Sequence, residues 1–316
     1  MSSDPKRKPV TRLRARSAEA PRALDFDSLL VENARKLVGF REYIKEMWHR
    51  RGLVRVLAGR QLKSQYELNV VGFAWWLAEP LSLAAVYYVL VAVLTKRQDH
   101  VYILVVLVSL LSFKWFQQSV IQSMNTVRGN ASLVTDIYFP RALLPITETT
   151  IGLAHFGVGL CILPIFMLFL KVAPTPNLVW LPLIIAVQLI FNLGAAYPMA
   201  VWGLRYRNLP NLMGNIIRLW FYLSPALYEL TRFSNGTVKF IMELNPLTGL
   251  FESYRRVFAL AGFTPTKVCP KCATIPHYYA GAPHPALLWT FVLGCIMLVV
   301  GAWYFTRKET QFGKEI

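Results

Sequence analysis

Long apolar runs follow one another along the chain, each ended by a cluster of polar or charged positions. A helix that crosses a bilayer takes about 20 mostly apolar residues. Six stretches meet that length: residues 70–94, 101–122, 145–170, 178–203, 211–228 and 285–306. A soluble core has no use for runs this long, so the pattern predicts an all-α integral membrane protein with six transmembrane helices. The fifth run is the least regular, because Ser224-Pro225 sits near its outer end. Proline removes a backbone donor that lipid cannot replace. Either a broken or re-entrant segment after Leu223 or a simple proline kink satisfies that constraint. Before the first run the pattern changes. Over residues 51–66, Leu53, Val54, Leu57, Ala58 and Leu62 share one arc of a helical wheel, with Arg55, Arg60 and Lys63 opposite and Arg51 and Val56 off the pattern. This predicts an interfacial helix whose cations face lipid headgroups; the alternative is a surface helix packed on a partner protein.

Charge adds an orientation. Of 316 residues 55% are hydrophobic and 16% charged, well under the roughly 25% charged residues of soluble domains. There are 34 Lys and Arg against 17 Asp and Glu, and sixteen of the cations fall in the first 70 positions beside eight acidic residues. A basic segment binds nucleic acid or anionic lipid, and its attachment to a membrane body favours lipid. Further cations, Arg128, Arg141, Arg205, Arg207, Arg307, Lys308 and Lys314, fall on connections on the same side as that segment. The basic bias makes both termini cytoplasmic. The expected order is a basic, largely disordered cytoplasmic N-terminus (1–50) with no apolar core of signal-peptide length, an interfacial amphipathic helix (51–69), a six-span domain (70–306) with a re-entrant or helical outer insertion at 229–284 between spans five and six, and a cytoplasmic tail (307–316).

Several chemistries have no residues to carry them. No G-x-x-x-x-G-K-[ST] phosphate loop occurs. After residue 70 the only aspartates are Asp99 and Asp136, so no carboxylate cluster is available to hold Mg²⁺. Neither H-E-x-x-H nor G-x-S-x-G is found. A membrane-embedded glycosyl or phosphosugar transferase is disfavoured, and a carrier that takes its energy from elsewhere is favoured.

A set of local motifs then points to one family. Gly72-Phe73-Ala74-Trp75 and Glu79-Pro80-Leu81 open the first span, and Trp115-Phe116 lies in the second. Asn130-Ala131-Ser132-Leu133-Val134 leads to Ile137-Tyr138-Phe139-Pro140-Arg141. Tyr206-Arg207-Asn208-Leu209 precedes the fifth span, and Tyr222-Leu223-Ser224-Pro225 ends it. Asn245-Pro246-Leu247, Tyr254-Arg255, Tyr304-Phe305 and Glu309 with Phe312 follow. In this order the segments resemble the permease subunit of ABC-2-type polysaccharide exporters, the O-antigen, teichoic-acid and galactan export group. The long basic N-terminus and the segment around Cys269 depart from the usual pattern. An ABC-2-type drug or lipid exporter is the alternative. The resemblance implies a multi-pass protein of the bacterial cytoplasmic membrane that pairs with a second copy of itself and with two ATPase subunits. It implies export of a polyprenyl-diphosphate-linked glycan. ATP and Mg²⁺ would then belong to the partner ATPase, and the permease would have no cofactor, no catalytic residue and no nucleic-acid partner. It also places an ATPase-coupling helix at about residues 130–138, so that Asn130, Leu133, Val134, Tyr138, Phe139, Pro140 and Arg141 become the coupling residues.

Charges within a bilayer are costly and usually functional. Glu79 and Lys114 fall at similar depth on the first two spans, roughly 10–14 Å from the inner edge of a ~30 Å core. They form either a structural clamp or a site in which Lys114 meets the lipid diphosphate and Glu79 tunes it. Aromatic rings stack on the C–H faces of sugars, and Trp115, Phe116 and Tyr222 are the expected lining of a translocation path, with lipid-facing positions as the alternative. Cys269-Pro-Lys-Cys272, with His277 and His284 downstream, suits a disulfide, a zinc site or free thiols.

Overall fold

The computed structural model describes residues 40–67, 78, 81–89, 102–136, 139–169, 176–227, 236–258, 281–309 and 311–312. The chain divides into two units, Met1–Ile44 and Lys45–Ile316; of the first, only residues 40–44 are described. All regular structure among the described residues is helical: α1 (Phe40–His49), α2 (Arg51–Glu67), α3 (81–89), α4 (Tyr102–Gly129), α5 (Ala131–Asp136), α6 (Leu143–Phe169), a 3₁₀ turn (Pro176–Trp180), α7 (Leu181–Arg205), α8 (Leu209–Leu223), α9 (Gly236–Leu244), α10 (Pro246–Phe258) and α11 (Ala286–Glu309).

Among the described residues, four segments are long and apolar enough to cross a membrane: Ile103–Gly129, Leu143–Phe169, Pro176–Arg205 and Ala286–Glu309. They match four of the six expected spans. The first expected span contributes only α3 to the described residues. The fifth becomes α8, whose 15 residues reach about 22 Å at 1.5 Å per residue, short of a ~30 Å core. Ser224 after it is extended, φ −85° and ψ 150°, as a residue before proline must be. Pro225 therefore ends the helix rather than kinking it. Residues 40–49, at the end of the segment expected to be largely disordered, form a helix in whose sequence Phe40, Tyr43, Ile44 and Met47 recur at helical spacing.

α4 is the central pillar, in contact with α6, α7, α8 and α10. Glycines let its neighbours approach. A Cβ on Gly203 of α7 would lie 2.3 Å from the Met124 carbonyl oxygen of α4, and one on Gly159 of α6 would lie 2.7 Å from Leu111. α7 and α11 cross through Gly194, Gly294 and Gly301 in the same way, the small-residue contact that membrane helices use in place of a hydrophobic driving force. The opposite face of α11 carries exposed Leu288, Val292, Ile296, Val299 and Trp303. In α2, Leu53, Val54, Leu57, Ala58 and Leu62 turn inward while Arg55, Arg60 and Lys63 are exposed. That arc packs on α6 of the same chain.

Candidate functional site

Two polar clusters lie inside this apolar frame. In the first, Gln188 of α7 is fully enclosed between α4 and α10. Its Oε1 accepts from the Ser112 hydroxyl at 3.1 Å and from the Tyr254 hydroxyl at 2.7 Å, and its Nε2 donates to the Ser112 carbonyl at 2.7 Å. One turn away the Arg255 guanidinium is buried. It donates through Nε to Ser109 Oγ at 3.2 Å, meets Glu252 at 3.0 Å and reaches the Ala226 carbonyl just past α8. These bonds hold α10 against the spans. Its base is tied down as well: Asn245 donates to Ser224 Oγ at 2.7 Å, Thr290 Oγ1 donates to the Pro246 carbonyl at 2.7 Å, and Trp289 donates to the Leu244 carbonyl at 2.9 Å. The insertion expected to be re-entrant or helical thus contains a helix sunk among the spans, and the Asn245-Pro246-Leu247 and Tyr254-Arg255 motifs are what fix it.

The second cluster lies at the other end of the bundle, around the segment expected to couple to an ATPase. Asn130 caps the turn after α4, its side chain donating to the Thr126 carbonyl at 2.8 Å. α5 follows. Ser132 is exposed and Leu133 half-buried, whereas Val134, Phe139, Pro140 and Arg141 are buried. The Arg141 amide donates to Glu309 Oε1 at 2.8 Å; its guanidinium donates to the Glu309 carbonyl at 2.9 Å and to the Val134 carbonyl at 3.3 Å. Arg128 reaches the Leu204 carbonyl at the end of α7. Phe312 folds back onto Phe305, ring centroids 5.2 Å apart, and Phe305 meets Tyr197 at 5.6 Å. Of the expected coupling residues, then, Asn130 and Leu133 remain at the surface, Val134, Phe139, Pro140 and Arg141 anchor the segment inward, and Tyr138 lies outside the described residues.

Trp115 and Phe116 do not face an open path. Trp115 is 1% exposed, donates to the Thr149 carbonyl at 3.1 Å and stacks on Phe156 at 5.1 Å. Phe116 is 2% exposed between Phe191 and Trp220. Both pack the interior because α6, α7 and α8 of the same chain close around α4 at their level. Tyr222 is 50% exposed on α8, beside the exposed stripe Leu212, Ile216, Leu219 and Leu223. Lys114 is half-buried on α4, one turn from Gln118, whose amide lies 3.0 Å from the buried His155 ring. Glu79, Cys269, Cys272 and His277 lie outside the described residues. His284 is engaged by backbone: its Nδ1 accepts from the Ala286 amide at 3.1 Å and its own amide donates to Ser253 Oγ at 3.0 Å. Burial, with the Arg256 guanidinium adding to it, holds its imidazole below the ordinary histidine value.

Gln188, Ser109, Ser112 and Glu148 were not singled out from sequence, nor was the pairing of Arg141 with Glu309. The available signal was a polar side chain within an apolar run, which flags Gln188 and Glu148 but names no partner. The contact from Arg141 to Glu309 spans 168 positions.

No family model matches the chain. It is 28% identical to the O-antigen export system permease protein RfbA of Myxococcus xanthus over 216 residues, 68% of this chain and 83% of the relative. Two proteins of the same name from Klebsiella pneumoniae are each 30% identical over 210 residues, 65% of this chain and 80% of the relative.

Proposed function

The chain belongs to the O-antigen export permease family, a family of multi-pass transport subunits rather than enzymes, and from that premise we propose that two copies form the channel of an ATP-driven exporter of lipid-linked polysaccharide, with ATP hydrolysed by two separate ATPase subunits. The exported polymer is a glycan on polyprenyl diphosphate, and ATP and Mg²⁺ sit on the partner. The observation that carries this reading is the pinned segment 130–141. Its buried residues lock it to the ends of α4 and α11, and its Ser132–Leu133 edge is left outward. A push on that edge reaches the spans without first deforming a loop, which is what a subunit driven from outside requires.

The pairing of copies is supported by packing. The interior of a single copy is filled by Trp115, Phe116, Phe156 and Phe191, which leaves no lumen among the described residues. A polymer path therefore runs between copies, and the Tyr222 stripe of α8 is the exposed apolar and aromatic surface that suits it. α3 and α8 complete a six-crossing count, with α8 rising from the end at which α7 finishes to meet α9 and α10 in the outer half, and α2 lying at the inner leaflet. Arg128, Arg205, Arg307 and Lys308 share the end at which α5 lies, and that basic bias supports a cytoplasmic reading of that end and of the termini. Deleting the gene in its own bacterium tests the reading. Surface polysaccharide should be lost while the polyprenyl-linked polymer accumulates inside, and the wild-type chain should restore export. Unchanged surface polysaccharide would refute it. Single cysteines at Ser132 and Leu133 should crosslink to the ATPase.

A further inference from the structure

The end of the bundle at which α2 packs holds a cavity of about 490 Å³ between α2, α4 and α6. Its wall is amide- and hydroxyl-rich, including Gln61, Asn125, Thr126 and Thr147, with Glu148 at its side and Arg60 at its edge. Glu148 is 4% exposed. Its carboxylate accepts from Thr126 Oγ1 at 3.0 Å and from Gln61 Nε2 at 3.4 Å, both neutral donors. A carboxylate offers about four acceptor positions, so capacity remains. Among the described residues Glu148 forms no ion pair. A buried charge is retained where a counter-charge meets it, and the cavity is the place from which one can come. Arg60 is exposed on α2 with no bonded partner among the described residues, and a guanidinium is the preferred fork for a phosphate.

We propose that this cavity binds the headgroup of an aminophospholipid, with its ammonium on Glu148 and its phosphate on Arg60. The depth fits. Glu148 lies in the second turn of α6, which opens a membrane-crossing segment, and Arg60 projects from the exposed face of a helix packed across that end. Leu57 and Leu144 on the same wall meet the start of the acyl region. A primary ammonium supplies three N–H donors, matching the free acceptor positions of Glu148 and the hydroxyls beside it. A choline headgroup supplies none, and an anionic headgroup meets Glu148 as a like charge. The inference does not depend on what the protein transports.

The test uses the full chain, purified and delipidated in detergent, and native mass spectrometry with phosphatidylethanolamine, its N-methyl and N,N-dimethyl forms, and phosphatidylcholine, all with identical acyl chains. Donor number falls from three to none along this series. Affinity should fall stepwise, by roughly tenfold or more between the ends, given that 1.4 kcal/mol is one decade. Glu148→Gln should flatten the series, and Arg60→Gln should weaken all four lipids together. Ser64→Trp, at an exposed position on the cavity wall, should block binding without touching the buried bonds, which covers a Glu148 variant that fails to fold. A flat series in the wild-type chain, or a preference that survives Ser64→Trp, would overturn the proposal.

Discussion

Arg141 and Glu309, 168 positions apart, exchange two contacts at one end of the bundle: the Arg141 amide donates to the Glu309 carboxylate at 2.8 Å, and the Arg141 guanidinium donates to the Glu309 carbonyl at 2.9 Å. They join the segment after α4 to the last turn of α11. The other end of α11 is held to α9 and α10 through Trp289 and Thr290. One continuous helix thus connects the proposed coupling segment to the helices at the opposite end. Glu309→Gln keeps an oxygen to accept the Arg141 amide and should leave thermal stability close to wild type. Glu309→Ala strands a buried amide and should cost about 1–3 kcal/mol. Arg141→Lys, which loses the forked geometry, should behave like Glu309→Ala. Thermal unfolding followed by tryptophan fluorescence in detergent separates these outcomes.

Two glycines give a matched pair. A Cβ on Gly203 would meet backbone of Met124 at 2.3–2.5 Å, whereas one on Gly214 meets only the tip of Ile121 at 3.8 Å. Gly203→Ala must push α7 from α4 and should destabilise by about 1–3 kcal/mol, as overpacking does. Gly214→Ala should be neutral or stabilising by up to about 1 kcal/mol, since alanine is the better helix former. Equal effects would show that the α4–α7 crossing is not this close.

Gln188→Leu removes the acceptor of the Tyr254 hydroxyl and both contacts to Ser112. Each stranded buried group costs about 1–3 kcal/mol. Adding Tyr254→Phe removes one of them, so the double variant should be more stable than Gln188→Leu alone. A double-mutant cycle on melting temperature reads this coupling, and simple additivity would mean that the two side chains do not meet.

His284 gives a pH dependence. Its imidazole is held below the ordinary value of 6.5 by burial first and by Arg256 next, with Lys239 adding and Glu252 and Glu243 opposing. The unfolded chain therefore takes up the proton first as pH falls. This contribution is complete above about pH 6.5 and declines below it, because a proton on Nδ1 displaces the Ala286 amide. His284→Asn keeps a side-chain acceptor two residues before that amide and does not titrate. Melting temperatures between pH 7.5 and 5 should fall more steeply for the wild-type chain than for this variant.

Four spans were legible in the sequence because lipid demands about 20 apolar residues in a row and little else satisfies that demand. The end of α8 was legible too, since Ser224-Pro225 constrains the backbone locally. The apolar arc of α2 could be drawn on a wheel, but its partner, α6, could not. What stayed hidden is non-local. Trp115 and Phe116 read equally well as lining and as packing, and only the placement of α6, α7 and α8 around α4 decides for packing. The inward side of Arg141 depends on Glu309 at the far end of the chain. α10 has no long apolar run, because Arg255 and Tyr254 are buried by bonds to distant partners rather than by hydropathy. Helix α1 was missed because its apolar positions are sparse among charges, although their spacing is helical.

Reconstituted transport tests the central proposal most directly. The chain and its ATPase, purified together into vesicles with polyprenyl-diphosphate-linked glycan supplied on the ATPase side, should carry the glycan to the opposite side, where an added glycosidase digests it. The account predicts digestion that depends on ATP and on both proteins, with no hydrolysis of ATP by the chain alone. Glycan that stays protected in the presence of ATP and a hydrolytically active partner would contradict it.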